Sequence, residues 1–129
     1  MTIMRYVLAL FLALSCCVAA VAHHSPVVFD RTREVKLVGV VKEFRWSNPH
    51  SFIELEVRNE KGQAELWAVE MNPPSYLVKA GWKSSTIKPG QTVTVMINPL
   101  RTPEKAGKFV SLTMEDGKVL TENPLPTAP

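Results

Sequence analysis

The sequence predicts a mostly β domain, curled into a small barrel of five or six strands with one short helix between strands three and four. Three observations lead there. Segments of alternating apolar and polar residues recur along the chain with turn residues between them, the period-two pattern of half-buried strands. The long first segment carries Gly39 in its middle, where a strand lacking a side chain can bulge or bend to serve two faces of a curled sheet. A single segment, around Asn72-Pro73-Pro74-Ser75, has helix-entry chemistry.

The first strand is predicted over residues 35–46, V-K-L-V-G-V-V-K-E-F-R-W, which is rich in β-branched residues. Asn48-Pro49 then turns the chain, because proline fixes φ and lacks a donor. Residues 51–57 alternate cleanly, with Ile53, Leu55 and Val57 on one face and Phe52, Glu54 and Glu56 on the other. Asn59-Glu60-Lys61-Gly62 reads as a hairpin loop leading to a third strand over residues 64–71. There Glu65, Trp67, Val69 and Met71 share one face, and Ala64, Leu66, Ala68 and Glu70 the other.

Proline is tolerated in a first helical turn, so a short helix is expected from Pro73-Pro74 to about Ala80. Tyr76, Leu77 and Ala80 form its apolar patch, and Gly81 is placed as its left-handed terminator. Lys88-Pro89-Gly90-Gln91 turns into a fourth strand over residues 92–97. A flexible loop is expected over residues 98–107, a fifth strand over 108–114, and a closing hairpin at Asp116-Gly117 into residues 118–120. This order matches an OB-like barrel, in which closure removes exposed sheet edges.

The domain boundaries follow: residues 1–22 a signal peptide, 23–120 a single β-barrel domain, and 121–129 a disordered proline-rich tail. Arg5 supplies the positive n-region, residues 7–14 (V-L-A-L-F-L-A-L) the apolar core, and Ala20 and Ala22 a small-x-small cleavage site. Export to the periplasm or beyond is expected, with no stable membrane span in the mature chain. Both cysteines, Cys16 and Cys17, lie in the leader, so the mature domain has neither disulfides nor thiolate ligands.

The chain carries 15 Lys and Arg against 12 Asp and Glu, and losing Arg5 brings it nearer neutrality. With no basic cluster and an exported location, nucleic acid is not expected as a partner. No nucleophile elbow, phosphate loop, dinucleotide fingerprint or His-Glu-x-x-His pair is present, so an enzyme is not expected.

Two candidate sites stand out. Cleavage after Ala22 puts His23 at the amino terminus beside His24, whereas cleavage after Ala20 leaves Val-Ala-His, whose amine, two amides and imidazole make a square-planar site for Cu(II) or Ni(II). The amine and imidazoles there, joined by His50, are candidate metal ligands of the kind that favour copper. Adjacent histidines at a chain end are otherwise merely solvated. The second candidate is a ligand-binding face comprising Trp46, Asn48, Phe52, Trp67 and Glu70. Large aromatics more often fill a small barrel, and Phe52 is the best surface candidate because it shares a face with Glu54 and Glu56. Glu70 sits on an otherwise apolar face and needs a partner, for which Arg45, Arg101 and His50 are the choices.

Taken together, Ala22-His23-His24-Ser25, Phe29-Asp30, Phe44-x-Trp46-x-Asn48-Pro49-His50, Trp67-x-x-Glu70, Gly81-Trp82, Lys88-Pro89-Gly90 and Asn98-Pro99-Leu100-Arg101 carry a family resemblance. The chain resembles a bacterial family of small exported proteins, the domain-of-unknown-function 6152 family, over nearly all of the mature sequence. The resemblance implies an exported β-rich domain and no established activity. The expected function is a noncatalytic domain binding a small ligand, a metal ion or an envelope protein, with a periplasmic copper-binding protein as the alternative.

Overall fold

The computed structural model describes residues 28–124. The leader, His23 and His24, and residues 125–129 therefore lie outside the described residues. The elements are β1 (Val35–Arg45), β2 (Phe52–Arg58), β3 (Ala64–Glu70), α1 (Pro74–Leu77) with a 3-10 turn (Val78–Ala80), β4 (Thr92–Pro99), β5 (Ala106–Met114) and β6 (Val119–Thr121). The sheet order is β3-β2-β1-β4-β5-β6, and β3 also pairs with β5, in parallel. Five strands thus close into a barrel, with β6 added outside β5 and one short helical segment between β3 and β4, as predicted. No helix among the described residues is long and apolar enough to cross a membrane.

β1 serves both halves of the barrel, pairing with β2 and with β4. The bend falls elsewhere than expected. The bulge lies between Val41 and Glu43, while Gly39 sits in regular register opposite both Val57 and Val93. What Gly39 supplies is space: a Cβ there would collide with the carbonyl of Glu56. The bulge has its own consequence, because the extra residue Lys42 switches which parity faces inward. Leu37 and Val41 are buried before it, whereas Phe44 packs against the core after it.

The core draws on alternating residues of every barrel strand: Ile53 and Leu55, Val69, Val93, Val95 and Ile97, Phe109 and Leu112. Trp82 fills one end. It is 1% exposed, stands 5.9 Å from Phe44 and 5.7 Å edge-on to Phe109, and donates its indole N–H to the Thr121 carbonyl at 2.8 Å. The helical segment delivers it: Leu77 and Ala80 face the core, and Gly81 at φ 86° turns the chain so that the Trp82 N–H reaches the Leu77 carbonyl. Tyr76, expected in the apolar patch, is instead 59% exposed, with Lys79 Nζ 5.4 Å from its ring centre.

Two boundaries are corrected. β4 runs on to Pro99 and β5 starts at Ala106, so the loop is shorter than the 98–107 expected. Phe29 bridges Leu100 and the Asp30 N–H reaches the Pro99 carbonyl, giving the extra strand residues a partner on their outer side. Thr121 and Glu122, assigned to the tail by sequence, belong to the barrel. Thr121 pairs with Ser111 in β6, and Glu122 accepts a hydrogen bond from the backbone N–H of Asn72.

Candidate functional site

Trp46, Asn48 and His50 lie in the loop joining β1 to β2. Ser47 Oγ donates to the His50 carbonyl at 2.9 Å, and the fully buried Ser51 fixes the loop base, its carbonyl receiving the Met71 N–H at 2.8 Å. Asn48 and Pro49 are exposed at the tip, joined by a cis peptide bond. Trp46 returns against the barrel, its ring 5.7 Å from Phe44 in an edge-on arrangement.

His50 lies over the end of β3. Its Nδ1 is 3.0 Å from the Met71 carbonyl oxygen and 3.2 Å from Glu70 Oε1. Both neighbours are acceptors, so Nδ1 carries the proton, whichever charge state the ring adopts. Of the three partners that the sequence offered Glu70, the structure selects His50. Their side chains are 26% and 28% exposed, so the pair is a wetted surface feature rather than a buried anchor.

Register brings Phe52 opposite Glu70 on β3 and opposite Arg45 on β1. The Arg45 guanidinium lies 5.3 Å from the Phe52 ring centre, and its Nη2 donates to Glu54 Oε1 at 2.8 Å. Phe52, Glu70 and His50 consequently share one open face, bordered by Arg45 and Glu54. Trp67 does not join them. It pairs with Leu55, on the opposite face of the same strands, and packs against the core, with Lys105 Nζ 5.3 Å above its ring.

Sequence reasoning missed the polar cluster behind His50. Glu122 is nearly buried, faces Lys108 Nζ at 4.0 Å, and holds the Asn72 N–H, while Lys108 also donates to Asn72 Oδ1 at 3.3 Å. Burial pushes the Glu122 carboxyl up, opposed by the Asn72 N–H and by the charges of Lys108 and His50, and reinforced by Glu70. No sequence signal marked Glu122, since it follows a three-residue strand and precedes prolines.

Among the described residues, no group of three or more His, Cys, Asp or Glu side chains could hold a metal ion. His50 is the one histidine among the described residues, and its proposed companions His23 and His24 lie outside them.

The fold is similar to a crystal structure of the mitochondrial single-stranded DNA binding protein Rim1 of S. cerevisiae, at 15% identity, over 69% of this chain and 81% of that chain, with a TM-score of 0.42. The exclusion of nucleic acid as a partner is therefore corrected and withdrawn. That likeness concerns shape and assigns no ligand to this chain. No curated protein is significantly similar to it. Over residues 12–109 the sequence matches the model of a family of unknown function, DUF6152, and the chain belongs to that family.

Proposed function

We propose that this is an exported, noncatalytic binding domain that holds a small ligand or a protein partner on the open face of β1, β2 and β3. One observation carries the reading: the pairing of Phe52 with Glu70 sets a half-buried ring, a carboxylate and the His50 imidazole side by side. An apolar surface with a few convergent polar groups is the usual composition of a recognition site. The Asn48 loop tip stands at its edge, and Trp46 supports the loop from below. To test this, the protein is recovered from the periplasmic fraction and any co-purifying ligand or partner is measured by native mass spectrometry. Phe52→Ala and Glu70→Gln are expected each to lower its occupancy at least tenfold without unfolding the barrel. Unchanged occupancy in both variants overturns the reading.

A copper-binding role is the second reading, favoured by the orientation of His50. Metal-ligating histidines commonly donate one ring N–H to a carboxylate or carbonyl while the other nitrogen binds the metal, and the Nδ1 contacts with Glu70 and Met71 have that form. An N-terminal imidazole and amine from His23, with His24, would complete a nitrogen-rich set suited to Cu(II). Titrating Cu(II) into processed protein is expected to give submicromolar binding that weakens in His23→Ala and in His50→Ala. Equal affinity in both variants discards this role.

A further inference from the structure

The groove beside the β2–β3 hairpin is lined by Asn59, Glu60, Lys61, Gln63, Glu65 and Lys105, well apart from the Phe52 face. At its edge Lys105 reaches over to the neighbouring Trp67 ring. Lys105 Nζ lies 5.3 Å from the centre of the Trp67 ring and 3.3 Å from Glu65 Oε2. An ammonium held between an indole face and a carboxylate is the arrangement by which proteins recognise organic cations. We propose that Trp67 and Glu65 form a binding site for an organic ammonium group, and that Lys105 is its built-in occupant.

The receiving groups are fixed independently of Lys105. Asn59 Nδ2 donates to Glu65 Oε1 at 3.1 Å, leaving Oε2 to the ammonium. Asn59 is itself locked, because its Oδ1 accepts from the backbone N–H groups of Lys61 and Gln63 at 3.0 and 2.9 Å. The hydrogen bond from Asn59 leads, with Lys105, in holding the Glu65 carboxyl below its ordinary range, so Glu65 is a dependable anion. The Trp67 indole N–H adds to that field without reaching hydrogen-bond geometry, and Nε1 is buried with no acceptor of its own. Trp67 is packed against the core, which holds the ring in place.

Lys105 is the movable part. Its side chain is 49% exposed, and its backbone is pinned separately through a 3.0 Å hydrogen bond from the Ala68 N–H to its carbonyl. Withdrawing the side chain uncovers the indole face without releasing the loop. Exposed ion pairs and exposed cation–π contacts are each weak, so an arriving ammonium loses no more than roughly thirtyfold in affinity by displacing both. The occupant fits any organic cation with a compact ammonium head, whether free or on a lysine stem.

The test follows the Trp67 indole N–H resonance in the whole domain, assigned with Trp67→Phe, on adding choline, N-acetyl-lysine methylamide or the neutral isostere 3,3-dimethylbutanol. In Lys105→Ala, at least one ammonium is expected to shift this resonance saturably with an affinity at least threefold above wild type, and the neutral isostere to leave it unmoved. A stronger response to choline assigns the site to free quaternary amines, and a stronger response to the lysine probe assigns it to lysine side chains. Adding Glu65→Gln to Lys105→Ala is expected to abolish the response. Lys105→Gln, which keeps the aliphatic stem, serves as a second vacated form. Absence of saturable shifts in both vacated forms overturns the proposal, as does an equal response to the neutral isostere.

Discussion

Two carboxylates in this barrel have nearly the same company and opposite chemistry. Glu122 and Glu65 each stand beside one lysine and one asparagine. Glu122 is 11% exposed with its ammonium at 4.0 Å, and burial raises its pKa. Glu65 is 25% exposed with its ammonium at 3.3 Å, and hydrogen bonds from Asn59 and Lys105 lower its pKa. The partner's distance and the remaining water decide the outcome, not the residue types. The Glu122 region is a closed structural end of the barrel, sealed by Trp82, and the Glu65 region is an open rim.

The largest expected effect tests that division in the core. Trp82→Ala should destabilise by about 3–5 kcal/mol, since it leaves a cavity between Phe44 and Phe109 and orphans the Thr121 carbonyl. Trp67→Ala, on the rim side, should cost less, about 1–3 kcal/mol. Equal losses in chemical denaturation would erase the distinction between sealed end and open rim. Next comes Gly107→Ala, whose Cβ would stand 2.6 Å from Ile97 Cδ1 and 2.7 Å from the Asn98 carbonyl oxygen. Overpacking there should cost about 1–3 kcal/mol, read from the same unfolding curves.

The pH dependence sharpens the comparison further. Because the folded pKa of Glu122 is raised, its contribution is fully present below the ordinary glutamate range and is lost as pH rises through the folded value. Glu65 has the opposite sign: its contribution is present above that range and is lost as pH falls through its lowered value. In thermal melts across pH, Glu122→Gln should therefore flatten the decline on the alkaline side of pH 4.5, and Glu65→Gln the decline on the acid side. If both variants change the same limb, the two sites do not differ as described. The smallest effect belongs to Lys105→Ala, which should leave the unfolding midpoint close to that of wild type because its ion pair is exposed.

Much of the fold was legible because it is written in local patterns. Ile53, Leu55, Val93, Val95 and Ile97 all fall on the inward faces that alternation predicts. The bulges were not legible, because apolar Val38 and Val40 stand among the inward residues of the first strand and blur its parity. The buried series moves from Leu37 and Val41 to Phe44, and in β5 from Gly107 and Phe109 to Leu112. Each change from odd to even positions marks one inserted residue. The Gly39 reading erred by attributing the bend to the missing side chain, when that absence admits the Glu56 backbone.

The candidate site was only partly legible. Phe52 and Glu70 could be placed on outward faces from their own strands, but their apposition depends on register between strands. Glu122 and Trp82 were hidden for a plainer reason. Their decisive contacts, with Asn72 and Thr121, lie 50 and 39 residues away along the chain, and no local period reports such meetings.

The ring of strands closes through three residue pairs only, Ala68 with Ala106, Val69 with Gly107 and Glu70 with Lys108, whereas the β2–β3 ladder has seven. That seam is the natural place for the ring to part. Parting there would loosen the Lys105 loop and the end of β3 that carries Glu70 together, while the antiparallel ladders stay intact. Amide protons of Ala68 and Glu70 should then exchange with deuterated solvent well before that of Leu55, so that a hinge linking the two surfaces is already present in how the cylinder is fastened.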